Sequence, residues 1–403
     1  MSARWHNMQL TRRSPYSTRD HMPPRSFLVF ATTLIGVLHF YIGARLLPDL
    51  PVAHLWKLLG AAWLLASCVL VPAGLLARGI KQQPLSDRLA WIGLLAMGLF
   101  SSLLVLTVLR DASLLLFGAL DLLDVLATPS AFTTNSALAV PVLAVLTSLA
   151  GFLNARRVAR VVNVDVPIAN LPTGLQGFTI AQISDIHVGP TIKRAYLERI
   201  VERVNALDAD MVAVTGDLVD GSVTQLAAHT APMAQLRARH GSFFVTGNHE
   251  YYANAHEWIE ELQRLGLHVL LNEHVVLTHA AASLVVAGVT DFSGGHFDPA
   301  HRSDPQAAMA GAPTNAIKIL LAHQPRSAEA AENAGFDLQL SGHTHGGQFW
   351  PWNLFVPLQQ PYTAGLHRLR NLWIYVSRGT GYWGPPKRFG APSEITRLRL
   401  VNA

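Results

Sequence analysis

Four stretches of the sequence, residues 26–47, 58–77, 89–109 and 136–153, approach or exceed the roughly 18–20 apolar residues that cross a bilayer as a helix. Arg45, near the end of the first, is the only acidic or basic residue in any of them. Core helices of a soluble protein rarely come four together without a polar stripe. The pattern therefore predicts a transmembrane region over residues 26–155, preceded by a basic segment, residues 1–25. Composition agrees: 50% of the 403 residues are apolar and 14% charged, which excludes a single soluble globule and a disordered chain. The lone cysteine, Cys68, lies in an apolar run and excludes a disulfide scaffold or a multi-thiolate metal site.

The net charge of +5 is unevenly divided. Residues 1–160 hold 14 Lys and Arg against 6 Asp and Glu, and residues 161–403 hold 17 against 20, so the halves carry +8 and −3. Basicity belongs to the apolar half, and the polar half has no excess positive charge to set against a phosphate backbone; no nucleic-acid partner is expected. Arg4, Arg12, Arg13, Arg19, Arg25, Arg78, Lys81, Arg88, Arg156, Arg157 and Arg160 fall on one side of the spans, and Arg45, Lys57 and Arg110 on the other. The excess predicts a multi-pass protein of the cell membrane with both termini and the C-terminal half in the cytoplasm. Arg12-Arg13 reads as part of a basic anchor rather than as an export signal, being twelve residues from the apolar run. Residues 112–127 are apolar enough to raise a fifth crossing, which would reverse the side. Their shortness, with Asp121 and Asp124 three apart on one helical face, predicts a helix lying at the interface instead. His39, inside the first span beside Tyr41, reads as a packed residue rather than a proton relay.

From about Val161 the pattern changes to short β-rich runs separated by helical stretches, an α/β arrangement with sites expected past the strand ends. The runs FTIAQIS, MVAVT, SFFVT, IKILLA and FDLQL end at Asp185-x-His187, Gly216-Asp217, Gly247-Asn248-His249-Glu250, His323 and Gly342-His343-Thr344-His345-Gly346-Gly347. Asp185 and His187, at spacing two in an extended segment, would point the same way. Two Asp, one Asn and four His make seven candidate ligands: Asp185, His187, Asp217, Asn248, His323, His343 and His345. That is too many for one tetrahedral site and enough for two ions. The carboxylate, amide and imidazole mixture suits divalent Mn, Fe or Zn rather than Ca. Two such ions activate a bridging hydroxide and clamp phosphate oxygens, so phosphoester hydrolysis is the natural chemistry.

The order D-x-H, G-D-x-x-D, G-N-H-E, isolated His and G-H-x-H resembles the calcineurin-like metallophosphoesterase superfamily. The run Ser341–Gln348, with Val376-Ser377-Arg378-Gly379 and Ala391-Pro392-Ser393-Glu394-Ile395-Thr396, is similar to its bacterial membrane-associated phosphodiesterase branch. The resemblance covers residues 161–403 and implies a four-layer αββα sandwich. It also implies a first metal held by Asp185, His187 and His345, a second by Asn248, His323 and His343, and Asp217 bridging. His249 would be a proton donor to the leaving oxygen rather than a ligand, oriented by Asp220. The function implied is hydrolysis of a phosphodiester or pyrophosphate bond, with membrane lipids as partners and a lipid-linked substrate, as in bacterial UDP-diacylglucosamine or phospholipid hydrolases. The alternative is a membrane sensor or scaffold whose domain binds a ligand without turnover. The uncharged aromatic stretch 349–362 reads as an acyl-chain wall, a bilayer contact or ordinary packing, and Arg378 as a contact to phosphate or to a surface carboxylate.

Overall fold

A computed structural model describes residues 25–80, 82–127 and 129–403. Arg4, Arg12, Arg13, Arg19 and Lys81 lie outside the described residues, as do the side chains of Arg25 and Arg78. The apolar half forms four long helices, α1 (Arg25–Leu46), α2 (His54–Leu76), α3 (Leu85–Leu122) and α4 (Phe132–Arg156), each long and apolar enough to cross a membrane. Short connections make neighbours antiparallel, and α2 meets α3 closely where Gly74 faces Gly93. His39 is buried, with Nε2 3.0 Å from Ser67 Oγ and its ring stacked on Phe100.

The stretch 112–127 corrects one expectation. Residues 112–122 do not form a separate helix; they prolong α3, which runs unbroken for 38 residues, about 57 Å at 1.5 Å per residue. No Gly or Pro breaks the helix near Arg110, and the two charges there are compensated in place. Arg110 donates to Ser136 Oγ at 3.1 Å and pairs with Asp49 at 2.5 Å, while Asp111 accepts from Arg45 and Tyr41 at 2.8 Å.

The remaining elements, in chain order, are β1 (Arg160–Ile168), β2 (Thr179–Ile183), α5 (Arg194–Asn205), β3 (Met211–Val214), α6 (Val223–Thr230), β4 (Ser242–Phe244), α7 (Asn248–Tyr252), α8 (Ala255–Arg264), β5 (His268–Val269), β6 (Glu273–His279), β7 (Ala282–Gly288), α9 (Pro305–Met309), β8 (Ile317–Leu321), α10 (Ala328–Asn333), β9 (Leu338–Ser341), β10 (Gly365–Leu369), β11 (Leu372–Val376) and β12 (Glu394–Asn402). They build two six-stranded mixed sheets, ordered β1-β12-β2-β3-β4-β5 and β10-β11-β9-β8-β7-β6. Ile180, Met211, Phe243 and Leu398 of the first sheet pack against Leu284, Ile319, Leu321 and Leu340 of the second. On the outer face of the first sheet, Ile183, Val214 and Phe244 meet Leu197, Ile200, Val204, Trp258 and Leu262 of α5 and α8. Outside the second, Leu320, Ile374 and Val376 meet Ala308, Ala328 and Ala331. The result is four layers, αββα. Because both faces of every central strand are covered, those strands read as continuous apolar runs rather than as alternation. Each fully buried Leu, Ile or Val contributes about 1.5–3 kcal/mol, so this double burial holds the strand ends rigidly in register.

Candidate metal centre

Parallel strands β2, β3 and β4 of one sheet and β8 and β9 of the other end at the same edge of the sandwich. The segments leaving those ends carry all seven expected ligands. Asp185 and His187 follow β2, Asp217 follows β3, Asn248 opens α7 just after β4, His323 follows β8, and His343 and His345 follow β9. The backbone there is a set of tight turns. Asp185, His187, Asp217, His343 and His345 all have φ between +51° and +69°, in the left-handed region that non-glycine residues avoid. The shared direction of Asp185 and His187 thus comes from turned backbone, not from the extended segment expected. Gly216 shows how closely these turns approach, since a Cβ there would stand 2.7 Å from Gly247 N and 2.8 Å from His323 Nδ1.

The side chains converge as two groups that share Asp217. In the first, His187 Nε2 is 3.0 Å from His345 Nε2, which is 3.5 Å from Asp185 Oδ1, and His187 Nε2 is 3.9 Å from Asp217 Oδ2. In the second, His323 Nε2 is 3.2 Å from Asp217 Oδ2 and 3.2 Å from His343 Nδ1. Asp185, His187 and His345 form one set able to hold a cation, and Asp217, His323 and His343 another. Asn248 Oδ1 is buried without a hydrogen-bond partner, an acceptor that a cation would satisfy. The rear nitrogens are oriented by the protein: His187 Nδ1 lies 3.1 Å from Asp220 Oδ1, and His323 Nδ1 donates to Thr215 O at 2.7 Å. Asp185 and Asp217 are buried, and burial pushes the Asp185 carboxyl up. Two buried carboxylates turned toward imidazole nitrogens fit divalent cations of the Mn, Fe or Zn type.

His249 forms a third set with His187 and Asp217 whose ligand atoms also lie close together. Its Nδ1 is 2.5 Å from Asp220 Oδ1 and its Nε2 faces the centre, 4.0 Å from Asp217 Oδ2. Burial lowers its basicity, but the Asp217 carboxylate and the hydrogen bond and charge of Asp220 outweigh that and push its pKa up to about 9. Asp220 therefore serves two imidazoles, His187 and His249, where the sequence suggested one. Arg378 Nη1 is paired at 2.8 Å with the carboxylate of Glu394, which is buried rather than the surface group expected.

Three further residues shape the site, and the sequence reading gave none of them a role. Glu250 accepts four backbone N–H groups, from Gly247 and Asp217 on Oε2 and from Leu218 and Val219 on Oε1, at 2.7–3.3 Å. It locks the Asp217 turn to the Asn248 turn. Its signal was its place as the third residue of α7, where Glu caps a helix start. Arg388 is buried, donates to His345 O at 2.8 Å and stands 3.0 Å from His345 Nδ1. Gln348 donates to Trp383 O at 2.7 Å and accepts from Trp383 N, tying the loop after the metal motif to a second loop. Neither has a local sequence signal, because their partners are about 35 to 45 residues away.

A calcineurin-like phosphoesterase family model matches residues 178–347, which takes in every residue of the two groups. The chain is 37% identical over 330 residues to a transmembrane protein with metallophosphoesterase domain of Danio rerio, covering 78% of this chain and 74% of that one. It is 40% identical over 279 residues to a protein of the same description in Bos taurus, covering 66% and 62%. To an uncharacterized metallophosphoesterase of Campylobacter jejuni it is 35% identical over 268 residues, covering 65% and 69%. The first match is longer than residues 161–403, so it takes in part of the apolar helices as well.

Proposed function

The chain belongs to the calcineurin-like phosphoesterase family, and from that premise we propose that it is a multi-pass membrane enzyme that hydrolyses a phosphodiester or pyrophosphate bond, carried on a lipid-linked substrate, at a two-cation centre facing the cytoplasm. The observation that carries this reading is the convergence of Asp185, His187 and His345 with Asp217, His323 and His343 around a shared carboxylate, beside the unpartnered Asn248 Oδ1.

Asp185, His187 and His345 would hold one ion, Asn248, His323 and His343 the other, and Asp217 both. Bound there, such a pair supplies Lewis acidity that activates water and neutralises charge on a transferred phosphoryl group. His249 contributes the proton. It is raised to about 9, so near neutral pH its Nε2–H faces the position where a leaving oxygen would develop charge. Asp220 holds the imidazole by Nδ1 and stabilises its protonated form. Glu250 keeps the Asp217 and Asn248 turns at fixed separation while charge moves. The lipid reading is supported by the nearness of the centre to α4, since Arg388 donates its backbone N–H to Gly151 O while its guanidinium holds His345.

The test pairs metal content with turnover. Purified protein given Mn should bind two ions per chain and hydrolyse bis(p-nitrophenyl) phosphate, and Asp217→Asn should lower both metal content and turnover. A variant that keeps two ions and full turnover would sink the shared-carboxylate centre.

A further inference from the structure

We propose that the loop 349–362, with the adjoining loop 383–389, is immersed in the hydrocarbon of the leaflet nearest the metal centre, so that phosphate groups carried by membrane lipids reach the centre from the bilayer plane. The inference rests on the reading of α1–α4 as membrane-spanning.

Depth can be measured along α3 and α4, which run antiparallel. The Arg156 guanidinium lies over the Trp91 ring at 5.3 Å, and Arg110 meets Ser136 at 3.1 Å. The twenty residues between Ser136 and Arg156 rise about 30 Å, one hydrocarbon thickness, so these two pairs mark its faces. Ser101 lies midway, about 15 Å from the Trp91 level. Trp352 Nε1 donates to Ser101 Oγ at 3.1 Å. Near the same depth Lys387 donates to Gly98 O at 3.0 Å and meets Ser102 and Ser148, and closer to the Trp91 level Pro385 and Pro386 line a small cavity with Leu94, Leu95 and Phe152. Both loops therefore reach to the middle of the span.

Their chemistry suits that depth. No charged side chain occurs from Phe349 to Leu366. The outward residues Leu354, Phe355 and Leu358 are 63%, 53% and 80% exposed, a face that water would oppose and acyl chains accept. Backbone in hydrocarbon must satisfy its own N–H groups. Those of Phe349, Trp350, Trp352, Leu354, Phe355, Leu358, Gln359 and Gln360 bond within the two loops or the adjoining Gly347, Pro351 and Pro357 have none to satisfy, and only Asn353 and Val356 of residues 349–360 lack such a bond among the described residues. The Lys387 ammonium is enclosed by Gly98, Ser102 and Ser148 between the helices rather than turned to lipid.

The experiment uses the full chain in nanodiscs of phosphatidylcholine with phosphatidylglycerol. In a Cys68→Ser background, bimane is attached to Leu358→Cys, to Leu146→Cys on the outward face of α4, and to Ala403→Cys at the chain end. The Leu358 label should match Leu146 in being quenched by lipids bearing a mid-chain doxyl group and in resisting aqueous iodide. A Leu358 label quenched by iodide as strongly as Ala403, and blind to doxyl lipid, overturns immersion. Turnover plays no part in this readout, so hydrolysis of bis(p-nitrophenyl) phosphate by the same samples judges the catalytic reading separately.

Discussion

Five of the seven candidate ligand residues hold left-handed φ, and that backbone is the feature of the centre least visible in the sequence. The motifs D-x-H and G-H-x-H name side chains that the fold brings together, because ligand chemistry is a property of residue type, whereas the turn that aims them is decided by strands packing on both faces. Strain of this kind costs about 1–3 kcal/mol per residue. His343, at φ 69°, gives a direct measure. Both His343→Gly and His343→Ala remove the imidazole, but only glycine relaxes the turn. The metal-free Gly variant should be more stable than the Ala variant by about 1 kcal/mol in denaturant titrations; equal stability would mean the turn is unstrained. On the proposed reading, truncation of the neighbouring His249 removes a proton donor and no ligand. His249→Ala should lose about 10²–10⁴-fold in turnover while metal content stays at the wild-type level. A drop in bound metal would make His249 a ligand instead.

At the level of elements, the strands before the motifs and the four apolar helices were legible because each carries a complete local signal: period, length and bounding turn residues. What was not legible is how one element answers another. Arg110 and Asp111 looked like the end of the third span, and they would end it if left unpaired. In the fold Asp49, Ser136, Arg45 and Tyr41 satisfy them, so α3 continues for another three turns. The same holds at Gly74 and Gly93, unremarkable glycines in sequence whose backbones meet where α2 crosses α3. A Cβ on Gly74 would stand 2.6 Å from Gly93 Cα. Gly74→Leu should therefore push α2 from α3 and lower the thermal midpoint of the detergent-purified protein, whereas Gly118→Leu, with open space around it, should leave the midpoint unchanged. Equal behaviour of the two variants would remove the close crossing.

Over the whole molecule, the two halves are joined by more than the connection from α4 to β1. Arg156 reaches Thr191 O and Tyr382 at 2.9 Å, Lys193 pairs with Asp87 at 3.0 Å, and Arg388 spans from Gly151 to His345. On the proposed spanning reading, such a junction fixes the candidate centre on the side where α4 ends. Four antiparallel helices return the chain to the side from which it started, so the side of the centre follows from the first helix and from the loops that hold Lys and Arg. Eleven cations mark that side in the sequence, against Arg45, Lys57 and Arg110 on the other, and it is the Lys and Arg count near the spans that sets orientation. A fluorescent protein that matures only in the cytoplasm, fused after Ala403, should glow, and an alkaline phosphatase active only outside, inserted between Leu126 and Phe132, should be active. A dark but well-expressed fusion at Ala403, with an inactive insertion, would place the centre outside the cell and leave its ligand geometry untouched, because the seven side chains are positioned by the two sheets.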